Sequence, residues 1–499
     1  MRILDREAII APPTFNRWLM PAAALAIHLC IGQVYALSVF KTPLMGNFDA
    51  GDVAIGWVFS VAIAMLGISA AVGGTWVERA GPRKAMVVAG AFWVVGFFVA
   101  TLGISTGQLW LLYLGYGVIG GIGLGIGYIS PVSTLMKWFP DRPGLATGLA
   151  IMGFGGGALL ASPMSNSLMA FYGGGSEPEQ LIAGLTPTFL TLAIVYAVAI
   201  TLGAIVIRLP HPDWKPTGWD PSKAVKKKLQ TSGNVSAKMS IRTPQFWLLW
   251  IVLFTNVTAG IGILENAAPM IQSFFSDVDA ATAAGFVGLL SIANMAGRFL
   301  WSSVSDFIGR QNIYIVYLGV GIVMYLVIAL FGAQSLIIFL IATMVILSFY
   351  GGGFATIPAY LKDMFGVYQV GAIHGRLLTA WSAAGVAGPL IVNMVIENRR
   401  AAGAEGADVY ILSLYIMVGL LALGLVANLL MRPVREKFFA SEEEVEAAKV
   451  HETNGNGGAQ PIHSTGGIYK IVAYALTGVV IVGLIYALTQ VLIKAGAFF

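Results

Sequence analysis

The chain has 499 residues, of which 57% are hydrophobic and only 11% charged, with a formal net charge of +5 and a mean hydropathy of +0.80. A soluble domain carries roughly a quarter charged residues, so the composition excludes one, and the cations collect in particular loops rather than in a patch suited to nucleic acid. The single cysteine, Cys30, excludes a disulfide framework and a multi-cysteine metal site.

Residues 1–17 are polar and carry Arg2, Arg6 and Arg17. The first apolar run, about 18–40, is longer than a signal-peptide core and more runs follow, so it reads as a retained membrane span. Runs near 53–77, 85–104, 109–131, 145–172 and 185–208 complete a predicted N-terminal six-helix bundle over 18–208. The polar stretch 209–244, with Lys223, Lys226, Lys227 and Lys228, reads as a linker whose lysines set topology and could hold anionic membrane lipid. Runs near 245–264, 281–304, 312–333, 336–360, 371–395 and 409–431 predict a second bundle over 245–432. A second linker, 433–467, contains Glu442, Glu443 and Glu444 and then turns Gly/Asn-rich. It leads to an additional apolar span, 468–495, with an expected role in assembly or in binding a partner. The fold class expected is an all-α membrane protein: two six-helix bundles plus one extra C-terminal membrane helix.

Orientation follows from the Lys/Arg distribution. A cytoplasmic N-terminus puts Arg79, Arg83, Lys84, Lys137, Arg142, the lysine-rich linker, Arg310, Lys362, Arg432, Arg435 and Lys437 on one side. Lys41, Arg399, Arg400 and Lys494 fall on the other. This positive-inside bias predicts a multi-pass protein of the plasma membrane, in a bacterium the inner membrane, with a cytoplasmic N-terminus.

One cation breaks the pattern. Arg298 lies ~12 Å along its helix from Asp306, while half a bilayer core is only ~15 Å. A charge that deep needs a partner, water or a ligand. No acidic residue is evident at mid-span elsewhere, and a guanidinium can hold a carboxylate through two parallel hydrogen bonds. Asn294 stands one turn before Arg298, on the same helix face. His28, Gln33 and Tyr35 in the first span are candidates for the same site. His28 can carry a proton near neutral pH, and Gln33 and Tyr35 can donate to a carboxylate. Each of the three also reads as ordinary packing. Tyr128 is a similar candidate within a span, whereas a tryptophan there, such as Trp381, most often packs.

The halves repeat. Gly74-Thr-Trp-Val-Glu78-Arg79-Ala-Gly81-Pro-Arg83 leaves the second span and Ser302-Ser-Val-Ser-Asp306-Phe-Ile-Gly309-Arg310 leaves the eighth. In both, an acid precedes a glycine by three residues and cations follow. Such turns are expected to gate or latch rather than to bind substrate. Internal repetition of a six-span unit marks a transporter with its substrate between the halves. Gly115 to Gly120 also matches a dinucleotide fingerprint and Gly103 to Gly107 a serine-hydrolase elbow. Neither has the strand context that the chemistry needs. No catalytic residue, metal ligand or cofactor is expected.

At these turns the chain resembles the major facilitator superfamily. Tyr35 to Phe40, Lys137-Trp-Phe-Pro-Asp141, Gly144 to Gly148, Gly153 to Gly155, Tyr350 to Gly353 and Thr379 to Trp381 are similar to the oxalate/formate antiporter family within it. The resemblance spans about 15–432. It implies alternating-access transport of small organic anions, with Arg298 at the position of that family's helix-eight arginine. Trp381 stands where the oxalate-handling pattern has a lysine, and Asn294 where related proton-coupled monocarboxylate symporters have an aspartate. One cation beside an aromatic implies a monocarboxylate of the formate, lactate or pyruvate kind, and the cost of reorienting an empty site with its cation unpaired favours exchange. The alternatives are an oxalate or other dicarboxylate:formate antiporter, a symporter with a proton as co-substrate through His28 or Glu265, and a transport-inactive sensor or scaffold.

Overall fold

Inside a bilayer every backbone N–H and C=O must find its partner within the protein, so apolar runs of this length resolve as helices. The computed structural model describes residues 4–211, 214–220, 229–278, 280–445 and 467–495. Among these the long helices are α1 (Arg17–Phe48), α2 (Asp52–Ala80), α3 (Pro82–Thr106), α4 (Leu109–Trp138), α5 (Pro143–Gly173) and α6 (Pro178–Val206). The second set is α7 (Pro244–Phe274), α8 (Ala280–Ile308), α9 (Arg310–Phe331), α10 (Leu336–Phe365), α11 (Val370–Ala401) and α12 (Asp408–Leu429). The additional helix is α13 (Gly467–Ala495). The expected lysine cluster, Lys226 to Lys228, and the Gly/Asn-rich part of the second linker lie outside the described residues.

Helix starts and stops follow local chemistry. Proline opens α3, α5, α6 and α7, where its missing N–H costs nothing and its φ is already helical. Gly81 and Gly309 end α2 and α8 at φ +83° and +88°, a conformation that side chains other than glycine rarely adopt. Several helices outrun the hydropathy signal, α7 by ten residues beyond the expected end at 264. Part of its polar tail is satisfied within the helix, the Asn266 amide donating to Gly262 O and the Ser273 hydroxyl to Pro269 O, while the Gln272 amide reaches Val278 O just beyond it. Besides a break at Leu378 in α11, two helices change their winding inside the membrane. Gly32–Ala36 makes a tight 3₁₀ segment in α1, and Tyr113–Gly120 makes a wide π segment in α4.

The sequence repeat is also a packing repeat. In the first half α1 packs on α5, α2 on α4, and α3 on α6; in the second α7 packs on α11, α8 on α10, and α9 on α12. Each pairing recurs six helices later. The halves meet through α5 against α8 and α10, and through α2 against α11. These contacts run from the face with the two acid-x-x-glycine turns to the middle of the helices. Gly144 and Gly148 lie against Ser302, Gly156 against Met295, Gly74 against Ala372, and Gly385 against Ile63. Residues 229–240 of the linker close over the same face, with Thr231 N donating to Asp363 O and Val235 N to Phe365 O, both at 2.8 Å.

Candidate functional site

Arg298 is fully buried, at 0% exposure. Its Nε donates to Asn294 Oδ1 at 3.1 Å, the one-turn spacing that puts both side chains on one face of α8. Its Nη1 reaches Ile151 O of α5 at 3.4 Å, and its Nη2 has no partner. Among the described residues no carboxylate pairs with it. Gly155 makes the room, since a Cβ there would stand 2.5 Å from Arg298 Nε.

Aromatic side chains from five helices enclose this guanidinium. Its carbon lies 5.3 Å from the centre of the Phe354 ring, a cation–π geometry. Phe354 meets Trp381 edge-on at 4.5 Å, and Trp381 meets Tyr128 and Phe154 at 5.4 Å each. Tyr128 stacks on His28 at 5.4 Å, and Tyr35 packs on Phe154 at 5.2 Å. The Tyr35 hydroxyl crosses between the halves to the Tyr350 hydroxyl at 3.3 Å. Two further buried donors are left without partners, Tyr128 Oη and Trp381 Nε1. Each unsatisfied buried group costs about 1–3 kcal/mol, and more when charged. An arrangement of orphaned donors around one unpaired cation is chemically suited to a compact anion with oxygen acceptors.

Of the residues expected at the site, Arg298, Asn294, Trp381, Tyr128, His28 and Tyr35 come together. Asn294 holds the guanidinium in place rather than standing free. His28 is clasped: Nδ1 faces Ala150 O, and Nε2 faces Tyr128 O at 3.1 Å. Gln33 is placed elsewhere. Its Oε1 accepts from Tyr116 Oη at 2.8 Å, among Trp93, Phe97 and Phe189 inside the first half. Residues two apart in a 3₁₀ segment point about 120° apart, so Tyr35 and Gln33 do not share a face. Phe354 and His374 join the cluster with no sequence signal of their own, and Phe154 and Tyr350 join it from the stretches of family resemblance. His374 packs on Tyr128 at 5.9 Å with its Nε2 unpartnered.

The repeated turns do something different. Asp306 of the second half accepts hydrogen bonds from Gly144 N at 2.9 Å and Leu145 N at 3.0 Å, the first turn of α5 in the other half. Glu78 of the first half accepts from Gly371 N at 3.0 Å, in the first turn of α11 in the second. Each acid caps a helix N-terminus across the seam, where bare N–H groups and the helix dipole favour negative charge. Arg310 steadies Asp306 at 2.6 Å while also reaching Asp363 at 3.2 Å, and Lys137 stands 3.5 Å from Glu78. Arg83 works within its own half, donating to the carbonyls of Ala204 and Ile205 at 2.9 Å, at the C-terminal end of α6. Arg79 is exposed, and Gly74 packs against Ala372.

Comparison with known proteins agrees with this architecture. The chain is 26% identical over 374 residues to the oxalate:formate antiporter of Oxalobacter formigenes, covering 75% of this chain and 83% of that one. It is 25% identical over 375 residues to the apicoplast pyruvate carrier 1 of Toxoplasma gondii, covering 64% and 65%. The solved structure of the proton:xylose symporter XylE bound to 6-bromo-6-deoxy-D-glucose superposes with a TM-score of 0.64 at 15% identity, covering 87% of this chain and 98% of that one. The Major Facilitator Superfamily pattern matches residues 23–389. With that match over most of its length and a fold of two repeated six-helix halves, the chain belongs to the Major Facilitator Superfamily and is a multi-pass membrane transporter.

Proposed function

We propose that the chain exchanges small organic anions, chiefly monocarboxylates of the formate, lactate or pyruvate kind, across a bacterial inner membrane with its N-terminus in the cytoplasm. The observation that carries this is Arg298, a fully buried guanidinium with no carboxylate partner and an unpartnered Nη2. Its Nε is occupied by Asn294, so the Nη edge is the part left to hold a carboxylate. Tyr128 Oη and Trp381 Nε1 are spare donors for the same anion, and the Tyr35 hydroxyl stands at the seam between the halves. Phe154, Phe354 and Trp381 give the rest of the substrate an apolar wall, which suits a small tail better than a second carboxylate.

Exchange follows from the same charge. An empty carrier would reorient with an uncompensated cation in low dielectric, at a cost on the order of several kcal/mol. A bound anion removes that cost, so the loaded form crosses and the empty form stalls. The Asp306 and Glu78 caps hold the loop-motif face, the proposed cytoplasmic side, shut until the loaded halves rock. In proteoliposomes preloaded with unlabelled formate or pyruvate, labelled anion should enter only by exchange, and Arg298→Ala and Arg298→Lys should abolish entry while the protein still purifies folded. Full uptake by either variant would remove Arg298 from the site. Entry of no mono- or dicarboxylate into wild-type vesicles would leave the sensor or scaffold reading instead.

A second reading rests on His28. Both ring nitrogens face backbone carbonyls, and a neutral imidazole donates only once. Taking up a proton would let the ring donate to both, as a proton symporter requires. Stimulation of net uptake by an inward proton gradient, lost in His28→Asn, would favour symport over exchange.

A further inference from the structure

The superfamily core accounts for α1 to α12 and leaves α13 without a task. Its buried residues, Tyr469, Ala473, Leu476, Val480 and Ala487, recur at helical spacing and form one stripe. That stripe packs on α1, α5 and α6 of the first half and on α8 of the second. The two ends are held differently. At the loop-motif face the Tyr469 hydroxyl donates to Val206 O at 2.8 Å, and the Arg208 guanidinium lies 4.5 Å over the Tyr469 ring. Phe15 packs on the same ring at 6.0 Å. All three of these partners belong to the first half and its tail. Toward the opposite face Val491 presses on Gly288 of α8, in the second half. A Cβ built at Gly288 would meet Val491 Cγ1 at 2.7 Å and Val491 Cβ at 3.5 Å.

We propose that α13 is a strap across the seam between the halves, tied to the first half at the loop-motif face and to the second half at the opposite face. Rocking one half against the other separates the two attachment points, so one must release in each cycle. The strap thereby favours the state in which α5 and α8 are joined at the loop-motif face, and it sets how readily the carrier leaves that state. The inference rests on alternating access by the two halves and not on which anion is carried.

The Gly288–Val491 spacing permits a test in the full-length protein, because a Cβ–Cβ separation of 3.5 Å fits a disulfide. Gly288→Cys and Val491→Cys are combined in a Cys30→Ala background and reconstituted in nanodiscs. Backbone amide exchange is then followed at residues 144–145 and 371, whose N–H groups are sealed by Asp306 and Glu78. Oxidation should slow their exchange at least tenfold, reduction should restore it, and Tyr469→Ala in the oxidised protein should restore it too by freeing the other end. Failure of the disulfide to form would overturn the placement on α8. A disulfide that forms without slowing exchange would show that α13 travels with the second half, and would overturn the strap. Because amide exchange needs no substrate, a negative result would not be confused with a wrong anion.

Discussion

Replacing Asp306 by asparagine tests the reciprocal caps at their stronger end. The carboxylate accepts from Gly144 N at 2.9 Å and Leu145 N at 3.0 Å and is paired with Arg310 at 2.6 Å, with a side chain only 10% exposed. Asparagine keeps one acceptor oxygen and loses the charge. A hydrogen bond to a charged group is worth ~1.5–3 kcal/mol against about 1 for a neutral one. A charge at a helix N-terminus adds ~0.3–1 kcal/mol, rising to about 2 when partly buried. Arg310 keeps Asp363, so no cation is stranded. The net bias toward opening is then about 2 kcal/mol, a shift of about 30-fold in the closed-to-open ratio at ~1.4 kcal/mol per tenfold. The assay places a cysteine at the buried Ser302, between α5 and α8, in a Cys30→Ala background and times its labelling by a water-soluble maleimide. Asp306→Asn should raise that rate about 30-fold, and Lys84→Ala, which removes an exposed cation beside the first half's turn, should leave it unchanged. An unchanged rate in Asp306→Asn would refute the capping argument.

The weaker cap and the anion site make their own predictions. Glu78→Gln, which turns a single charge-assisted backbone bond into a neutral one and loses a longer 3.5 Å ion pair, should raise the same labelling rate only about fivefold, ~1 kcal/mol. Its effect should add to that of Asp306→Asn, because the two caps lie on different helix pairs. Gly155→Ala places a methyl against Arg298 Nε, and overpacking of this kind costs ~1–3 kcal/mol. Its KM for the exchanged anion should rise about tenfold or more with expression intact, read from initial rates in proteoliposomes. Trp381→Lys adds a second cation to the box, worth ~1–4 kcal/mol toward a second carboxylate at contact distance. Oxalate or malonate should then displace labelled monocarboxylate at least tenfold better than in wild type, and no change in a competition panel would place Trp381 away from the substrate.

The architecture was legible because membrane folding leaves few choices. Long apolar runs become helices, and the two acid-x-x-glycine turns mark the repeat that the helix pairings then obey. Arg298 was legible for the same reason, since a charge in that setting is conspicuous. The rest of its surroundings was not. Phe154 and Tyr350 stand out only as members of stretches of family resemblance and Phe354 not at all, because lipid is as apolar as a helix interface and hydropathy does not separate the two. His374 had no spacing signal of its own. Gln33 was grouped with Tyr35 by nearness in sequence, whereas the 3₁₀ segment turns it toward Tyr116. The acids stand out by their repeated spacing, but their partners do not: nothing in a loop motif says that its carboxylate meets backbone N–H groups of the opposite half.

That exchange of caps bears on how the protein is made. Gly144 and Leu145 emerge with their N–H groups bare and wait 162 and 161 residues for Asp306, roughly ten to thirty seconds at ~5–20 residues per second. The reverse debt is settled at once, because Glu78 is already in the membrane when Gly371 arrives. The first half therefore spends its early life unfinished at the start of α5, and a first half synthesised alone would keep that defect until a separately made second half supplied Asp306.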